Sequence, residues 1–449
     1  MTRPDILFLV LDSARTDRLS TYGHERETVP VLDELATTAT RFESAQAPAT
    51  WTLPSHCSMF TGLLPTQHTV TNGFTDQSLQ LPADVPTVVE ELAGEGYEAA
   101  GFSNNPWVGA MSELNRGFDE YVEWDLEIDL ESTGEITTRT DRLWSRLHSL
   151  LGHASRQPLF ALKRRFFTSR LVDRAKRWLE ATRDTGDPTF TFLNLMEAHS
   201  PYFPPSAAFE ELGIDAPGII EPRMLNTKLL AYVLGKSGLS PELRQRVYEY
   251  YDASLRYQDR KVGELLDTLR AQNAFDDTLV VVCSDHGKTL GEYDRDGVPP
   301  HYLRRINTNV PLLIKTPGQR QPARISRPAE LAGLYDLFLQ SSPDVREALC
   351  RSDRALVEDF VPHTAKESEP VTRWRILCDE QYRYIRNEEG DEYLFTASDE
   401  PVPDGPMEAM REAMDRRVST LNPIPEETGD EQDLDAGVEA QLGDLGYLK

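Results

Sequence analysis

The chain is short of lysine, of cysteine and of long apolar runs, and each shortage narrows what it can be. Only nine of its 47 basic residues are lysine, set against 74 acidic residues, for a formal net charge of −27. So acidic a balance argues against a general nucleic-acid binder, whose footprint is basic, and no nucleic-acid partner is expected. An acidic, lysine-poor surface suits a protein kept soluble in concentrated salt, where self-repulsion is screened; a halophilic source is the expectation. The four cysteines, Cys57, Cys283, Cys350 and Cys378, match no zinc or redox spacing. They are too few for a disulfide framework in a chain of 449 residues, so a reducing, cytoplasmic setting is the default. The apolar run Ile6 to Leu11 stops at Asp12, too short for a signal segment or a membrane span, and no other stretch approaches a span.

What is present is an alternation. Short apolar runs at Ile6–Leu11, Glu98–Phe102, Phe190–Leu195, Thr278–Cys283 and Val310–Lys315 read as buried strands of a parallel sheet. Helical patterns at Val31–Ala39, Pro54–Thr61, Val85–Glu95 and Leu243–Asn273 fall between them. This implies an α/β fold with helices on both faces of the sheet. Residues 130–180 read as a helical insertion near the substrate side. After about residue 330 the character changes to a smaller C-terminal α+β subdomain. Its expected elements are a meander of Trp374–Cys378, Tyr382–Arg386 and Glu392–Thr396, a helix near Met407–Val418, and a terminal amphipathic helix at Val438–Leu448. The expected division is 1–330 and 331–449.

Polar residues follow the strands. Asp12 follows Ile6–Leu11, and Ser284, Asp285 and His286 follow Thr278–Cys283. Glu197 and His199 follow Phe190–Leu195, and Ser103, Asn104 and Asn105 follow Glu98–Phe102. Carboxyl ends of parallel strands lie along one edge, where ligands bind, so four such ends converge on one site. A fifth piece is Thr50-Trp51-Thr52-Leu53-Pro54-Ser55-His56, where Pro54 suits a helix first turn. Thr52 reads as the residue at or just before the cap. The bland role there is the N-cap itself, yet a helix N-terminus also binds anions.

Together these segments resemble a known family. Asp12 in its LVLD context, Tyr22-Gly23, Thr28 to Asp33, the TLPSH segment with Thr61-Gly62, and Gly96-Tyr97 fall in the order seen in sulfatases. So do Ala198 to Tyr202, Ser284-Asp285-His286-Gly287, Val310-Pro311-Leu312 and the closing Leu442 to Lys449. The resemblance implies an alkaline-phosphatase-like, mostly parallel sheet flanked by helices, and a metal-bound nucleophile attacking the ester of an oxyanion. The composition suggests a haloarchaeal member. Carried over by position, Thr52 stands as nucleophile, and Asp12, Asp285 and His286 with Thr52 as ligands of one or two divalent ions. Oxygen ligands with one imidazole leave Ca²⁺, Mg²⁺, Mn²⁺ and Zn²⁺ open. His199 matches the histidine near the leaving group, where it would act as general acid. His301 lies roughly where the family places a substrate-contacting Lys or His. His56, Asn104 and Lys288 are candidate contacts to the anion, although for Lys288 a solvated helix position is the plainer reading. The implied partner is a small-molecule or glycan ester.

The departures from the family bear on the chemistry. Sulfatases carry C-x-P-x-R or S-x-P-x-R, whose Cys or Ser becomes formylglycine. Here Thr52 holds that position and His56 that of the arginine, and threonine has no route to formylglycine. Ser13 replaces the second Asp of the metal pair, and Asn104 and Met196 replace a lysine and a histidine. A sulfated threonine lacks the exit that a formylglycine hydrate has, whereas a phosphorylated one is cleared by attack at phosphorus. The expectation is a metal-dependent hydrolase acting on phosphate mono- or diesters in preference to sulfate esters. A phospho-alcohol transferase, a true sulfuric ester hydrolase without formylglycine, and a non-catalytic glycan-binding protein are the alternatives.

Overall fold

A computed structural model of the chain describes residues 3–71, 80–123, 157–183, 185–233, 236–292, 296–297, 303–360 and 373–422. Eight strands form the main sheet: β1 (Ile6–Leu11), β2 (Thr40–Phe42), β3 (Glu98–Ser103), β4 (Glu120–Glu123), β5 (Thr189–Leu195), β6 (Leu279–Cys283), β7 (Leu312–Lys315) and β8 (Ala323–Ile325). Their order is β8-β2-β7-β6-β1-β5-β3-β4. The five strands from β6 to β4 run parallel. The run Val310–Lys315 is a correction to the sequence reading. It breaks before Pro311, and its second half, β7, lies antiparallel to both β6 and β2. Proline has no N–H to give to a ladder, and Asn309–Val310 pairs instead with Ala45–Gln46 in a separate small sheet.

The central strand shows why a parallel sheet is written as a continuous apolar run. Ile6, Phe8 and Val10 face one core, which includes Met59, Phe60 and Phe338. Leu7, Leu9 and Leu11 face the other, with Tyr251, Leu265 and Leu266. Both faces of β1 are therefore removed from water, and no position in it tolerates a charge. The helices that matter for the site are α1 (Pro30–Leu35), α2 (Thr52–Thr61), α3 (Val88–Gly94), α4 (Gln157–Thr182) and α5 (Pro241–Ala271). Helix α5 begins at Ser240, whose hydroxyl accepts the Leu243 amide, with Pro241 at its first position. Of the expected insertion, α4 is present, and residues 130–156 lie outside the described residues.

Helix α2 explains its own sequence. Trp51 is the extended residue before it and makes no side-chain cap. Thr52 is the first helical residue, so the expected N-cap role for its hydroxyl is not the one it takes. Pro54 falls in the first turn, where its missing N–H would have had no partner. Gly62 ends the helix at φ 71°, and a Cβ there would meet the Tyr335 ring at 3.1 Å.

The last part of the described chain is a four-stranded antiparallel sheet: β9 (Ala355–Asp359), β10 (Trp374–Cys378), β11 (Tyr382–Asn387) and β12 (Glu392–Thr396). The expected three-stranded meander is there, with β9 added at its edge. One face packs on the helix Met407–Val418 through Leu377, Tyr384, Met410 and Met414. The other packs on Leu303. The expected terminal helix at Val438–Leu448 lies outside the described residues. All four cysteines are free and buried. Among the described residues no helix is long and apolar enough to cross a membrane.

Candidate active site

Sheet register builds the site. Val10 pairs with Cys283, and Leu11 with Leu195. Two residues beyond the Val10–Cys283 pair, the chain reaches Asp12 on one side and Asp285 on the other. Ser103 pairs with Asn194, which brings the turn after β3 to the same edge. Helix α2 is pinned over this edge by Ser55, whose hydroxyl donates to the Asp285 carbonyl at 2.6 Å. Its first turn, and with it Thr52, thereby sits over the strand ends.

Asp12, Asp285 and His286 are buried, and they offer ligand atoms that all lie within 4.8 Å of one another. Each is held in place. The Ser13 hydroxyl donates to Asp12 Oδ1 at 2.8 Å, and the Asn105 amide donates to Asp12 Oδ2 at 2.6 Å. Asp285 Oδ1 accepts the backbone amides of Ser13 (3.1 Å) and His286 (2.9 Å). Ser13 sits at φ 61°, a sparsely populated region for a non-glycine residue, and this turns its amide toward Asp285. His286 Nδ1 donates to the Gly287 carbonyl at 2.7 Å. That bond fixes the tautomer and leaves the Nε2 lone pair facing Thr52 Oγ1, 3.3 Å away.

The electrostatics follow from this crowding. Burial, and after it the charge of Asp12, pushes Asp285 well above the usual carboxylate range. Burial would raise Asp12 too, but His199 and His286 nearby and the Ser13 hydroxyl hold it below its ordinary value. His286 is lowered by burial. Asp285 Oδ2 is fully buried and has no hydrogen-bond partner among the described residues. A buried carboxylate oxygen without a partner is costly, and a bound cation would remove the cost. The donor set, two carboxylates and one imidazole with a hydroxyl beside it, fits a divalent ion.

The remaining predicted residues divide. His199 lies close enough for its charge to lower Asp12, and its Nδ1 donates to the Ser200 carbonyl. Lys288 is 1% exposed, in the loop after His286 rather than on a helix, which corrects the solvated reading. Its ammonium lies 3.4 Å from the Ser200 hydroxyl and 5.3 Å from the Tyr202 ring centroid. His56 lies fully buried one turn below Thr52, donating Nδ1 to the Thr52 carbonyl at 2.9 Å; burial lowers it to about 4, so it is neutral. Asn104 donates to Thr168, which donates to Glu197. His301 lies outside the described residues. The residue missed as a contact is Asn105, 3.5 Å from Thr52 Oγ1 as well as bonded to Asp12. It belonged to the polar run at the end of β3, and only the turn geometry separates it from its neighbour.

The sulfatase family profile matches residues 4–340. The chain belongs to the sulfatase family. This sulfatase-family hydrolase is 24% identical to the ulvan-active sulfatase of Formosa agariphila over 99% of this chain and 82% of the relative. It is 24% identical to the choline-sulfatase of Rhizobium meliloti over 70% of this chain and 63% of the relative. Among solved structures, the phosphonate monoester hydrolase SpPMH of Silicibacter pomeroyi superposes with a TM-score of 0.70 at 19% identity. That superposition covers 93% of this chain and 95% of the other. The phosphonate monoester hydrolase of Agrobacterium radiobacter gives a TM-score of 0.68 at 18% identity, with the same coverage. The fold class read from the sequence is the fold these structures share.

Proposed function

We propose that the protein is a metal-dependent hydrolase in which Thr52 is the nucleophile and phosphate mono- or diesters are the substrates. The observation that carries this reading is the Thr52 hydroxyl itself. It sits at the first turn of α2, 3.3 Å from His286 Nε2 and beside the buried Asp12–Asp285–His286 cluster. Threonine is not converted to formylglycine, so a covalent adduct on Thr52 has to be cleared by direct attack at its central atom, which phosphorus accepts and a sulfate ester resists. The names of the two structural relatives, phosphonate monoester hydrolases, point in the same direction.

Asp12, Asp285 and His286, with Thr52, would hold the ion. A divalent cation there lowers the pKa of a bound hydroxyl and neutralises charge on the ester oxygen. The chain's own groups do the rest. The N–H groups of Thr52 and Leu53, in the first turn of α2, would face the oxyanion. Asn105 keeps Asp12 oriented and stands next to the Thr52 oxygen. Thr52 Oγ1 loses its proton to solvent and attacks phosphorus, the bond to the leaving oxygen breaks, and His199 as imidazolium supplies that oxygen's proton. Water then gives a proton to His199 and attacks phosphorus in the adduct, the bond between phosphorus and Thr52 Oγ1 breaks, and the threonine oxygen regains a proton from solvent. Lys288 would supply positive charge beside the site, and His56 holds the first turn of α2 through the Thr52 carbonyl. An alcohol in place of water in the second step would make the same site a transferase.

The test uses purified protein with aryl phosphate, aryl phosphodiester and aryl sulfate, each with Mn²⁺, Mg²⁺, Ca²⁺ or Zn²⁺. Phosphoester turnover is expected to depend on metal, to survive Thr52→Ser, and to drop roughly a thousandfold or more in Thr52→Ala. Sulfate-ester turnover that persists in Thr52→Ala refutes the proposal.

A further inference from the structure

His286 is aimed by the backbone of Gly287, which the main sheet does not hold alone. Its Nδ1–H donates to the Gly287 carbonyl. The Gly287 amide donates in turn to the Asn307 carbonyl at 2.8 Å. The Ile306 carbonyl oxygen lies 1.8 Å from where a Cβ on Gly287 would stand. The short helix Arg305–Thr308 is thus the surface against which the Gly287 peptide is pressed.

That short helix is fixed from the C-terminal sheet. Arg383, on β11, is 2% exposed. Its Nη2 donates to Thr308 Oγ1 at 2.7 Å and to the Leu303 carbonyl at 3.4 Å. Its Nε lies 3.1 Å from Asp399 Oδ1, an ion pair rather than an aligned hydrogen bond. Asp399 Oδ2 accepts the backbone amide of Arg305, in the first turn of the same short helix. One buried ion pair therefore clamps the segment at Leu303, Arg305 and Thr308, on either side of the carbonyl that meets Gly287.

We propose that Arg383 and Asp399 are positioning residues for His286, which makes the C-terminal sheet part of the active site's framework. The proposal rests on the reading of His286 as a metal ligand. The path runs from the Arg383–Asp399 pair to the 305–308 turn, then to the Asn307 carbonyl, which takes the Gly287 amide, and across Gly287 to its carbonyl and the imidazole. A group hydrogen-bonded directly to a ligand typically changes metal affinity by about 10- to 100-fold when removed, and a pair acting several contacts further back is expected to change it less.

Hydrogen exchange at the Gly287 amide, and calorimetric titration with Mn²⁺, are measured for the full chain, Arg383→Met and Asp399→Asn. The second variant is the milder one. Asparagine keeps an oxygen acceptor and tolerates the left-handed backbone of Asp399, φ 67°, so it keeps the test open even if Arg383→Met fails to fold. The expected result is exchange at Gly287 faster by roughly tenfold or more, with the amides of β1 unchanged, and a Mn²⁺ dissociation constant weaker by up to about tenfold. Exchange at Gly287 and Mn²⁺ affinity both as in wild type, even with a lowered melting temperature, would overturn the proposal and leave the pair a purely structural clamp. Wild-type protein that binds no Mn²⁺, Mg²⁺, Ca²⁺ or Zn²⁺ would sink the metal reading instead, and the Gly287 exchange would still decide whether the clamp reaches that peptide.

Discussion

Replacing Asp285 by asparagine separates the two things this carboxylate does. Its Oδ1 accepts two backbone amides, from Ser13 and His286. Its Oδ2 has no hydrogen-bond partner among the described residues and lies 3.5 Å from His286 Nε2. Asparagine can accept both amides, but it offers no charge and no second oxygen. Alanine leaves both amides without an acceptor, at about 1–3 kcal/mol each, or about 2–6 kcal/mol in all. Unfolding entropy near 2.1 cal/mol/K per residue, over a chain of 449 residues, amounts to about 0.9 kcal/mol/K, so each kcal/mol moves the melting temperature by about 1 °C. In chelator, Asp285→Ala is therefore expected to melt about 2–6 °C below wild type, and Asp285→Asn at or above it, because the charge of Asp12 then faces no second carboxylate. A divalent ion at a hundred times its dissociation constant adds about 2.7 kcal/mol to wild type, a rise of about 3 °C. In Asp285→Asn the rise is expected to vanish. Scanning calorimetry with and without metal reads both effects. A full metal-induced rise in Asp285→Asn, or an apo melting temperature for it as low as that of Asp285→Ala, refutes the assignment.

Two further outcomes follow from buried groups. His68 accepts the Val70 amide at Nδ1 and donates Nε2–H to Ser58, so it is a neutral imidazole, and burial lowers it to about 3. The unfolded chain takes up this proton near pH 6.5 and the folded one does not until near pH 3, so His68 favours unfolding increasingly as pH falls through that window, by about 2 kcal/mol at pH 5. In urea titrations from pH 7 to pH 5, His68→Gln should lose less stability than wild type; equal losses would contradict this. Gly287→Ala drives a Cβ into the Ile306 carbonyl, where backbone must move, and is expected to cost about 1–3 kcal/mol together with most of the activity. Gly94→Ala, with nothing within 4 Å, is the control and should be neutral or slightly stabilising in both thermal melts and assays.

The strands of the parallel core were legible because burial on both faces leaves only apolar residues, a pattern short enough to see locally. Ile6–Leu11 appears unchanged in the structure, and Tyr382–Arg386 gains only Asn387. Strands of two or three residues, such as Thr40–Phe42 and Ala323–Ile325, were not legible, because so short a run carries no period of its own and exists only through its neighbour. The same limit hid the direction of Leu312–Lys315, since an apolar strand reads alike whichever way it runs.

At the site the division is sharper. The residue types and their places at strand ends are written in the chain: Asp12, Asp285, His286, and a hydroxyl at 52 followed by the proline of a helix first turn. By itself the sequence settled that these groups exist and that each follows a structural element. Only the tertiary structure decided which of two adjacent asparagines faces Thr52, that Lys288 is buried, and that the carbonyl aiming His286 is braced through Arg383, almost a hundred residues further along the chain. The physical reason is one of range. Strand and helix signals depend on neighbours a few residues away, whereas side-chain direction in a turn and contacts between distant segments depend on how whole layers pack, which no local pattern records.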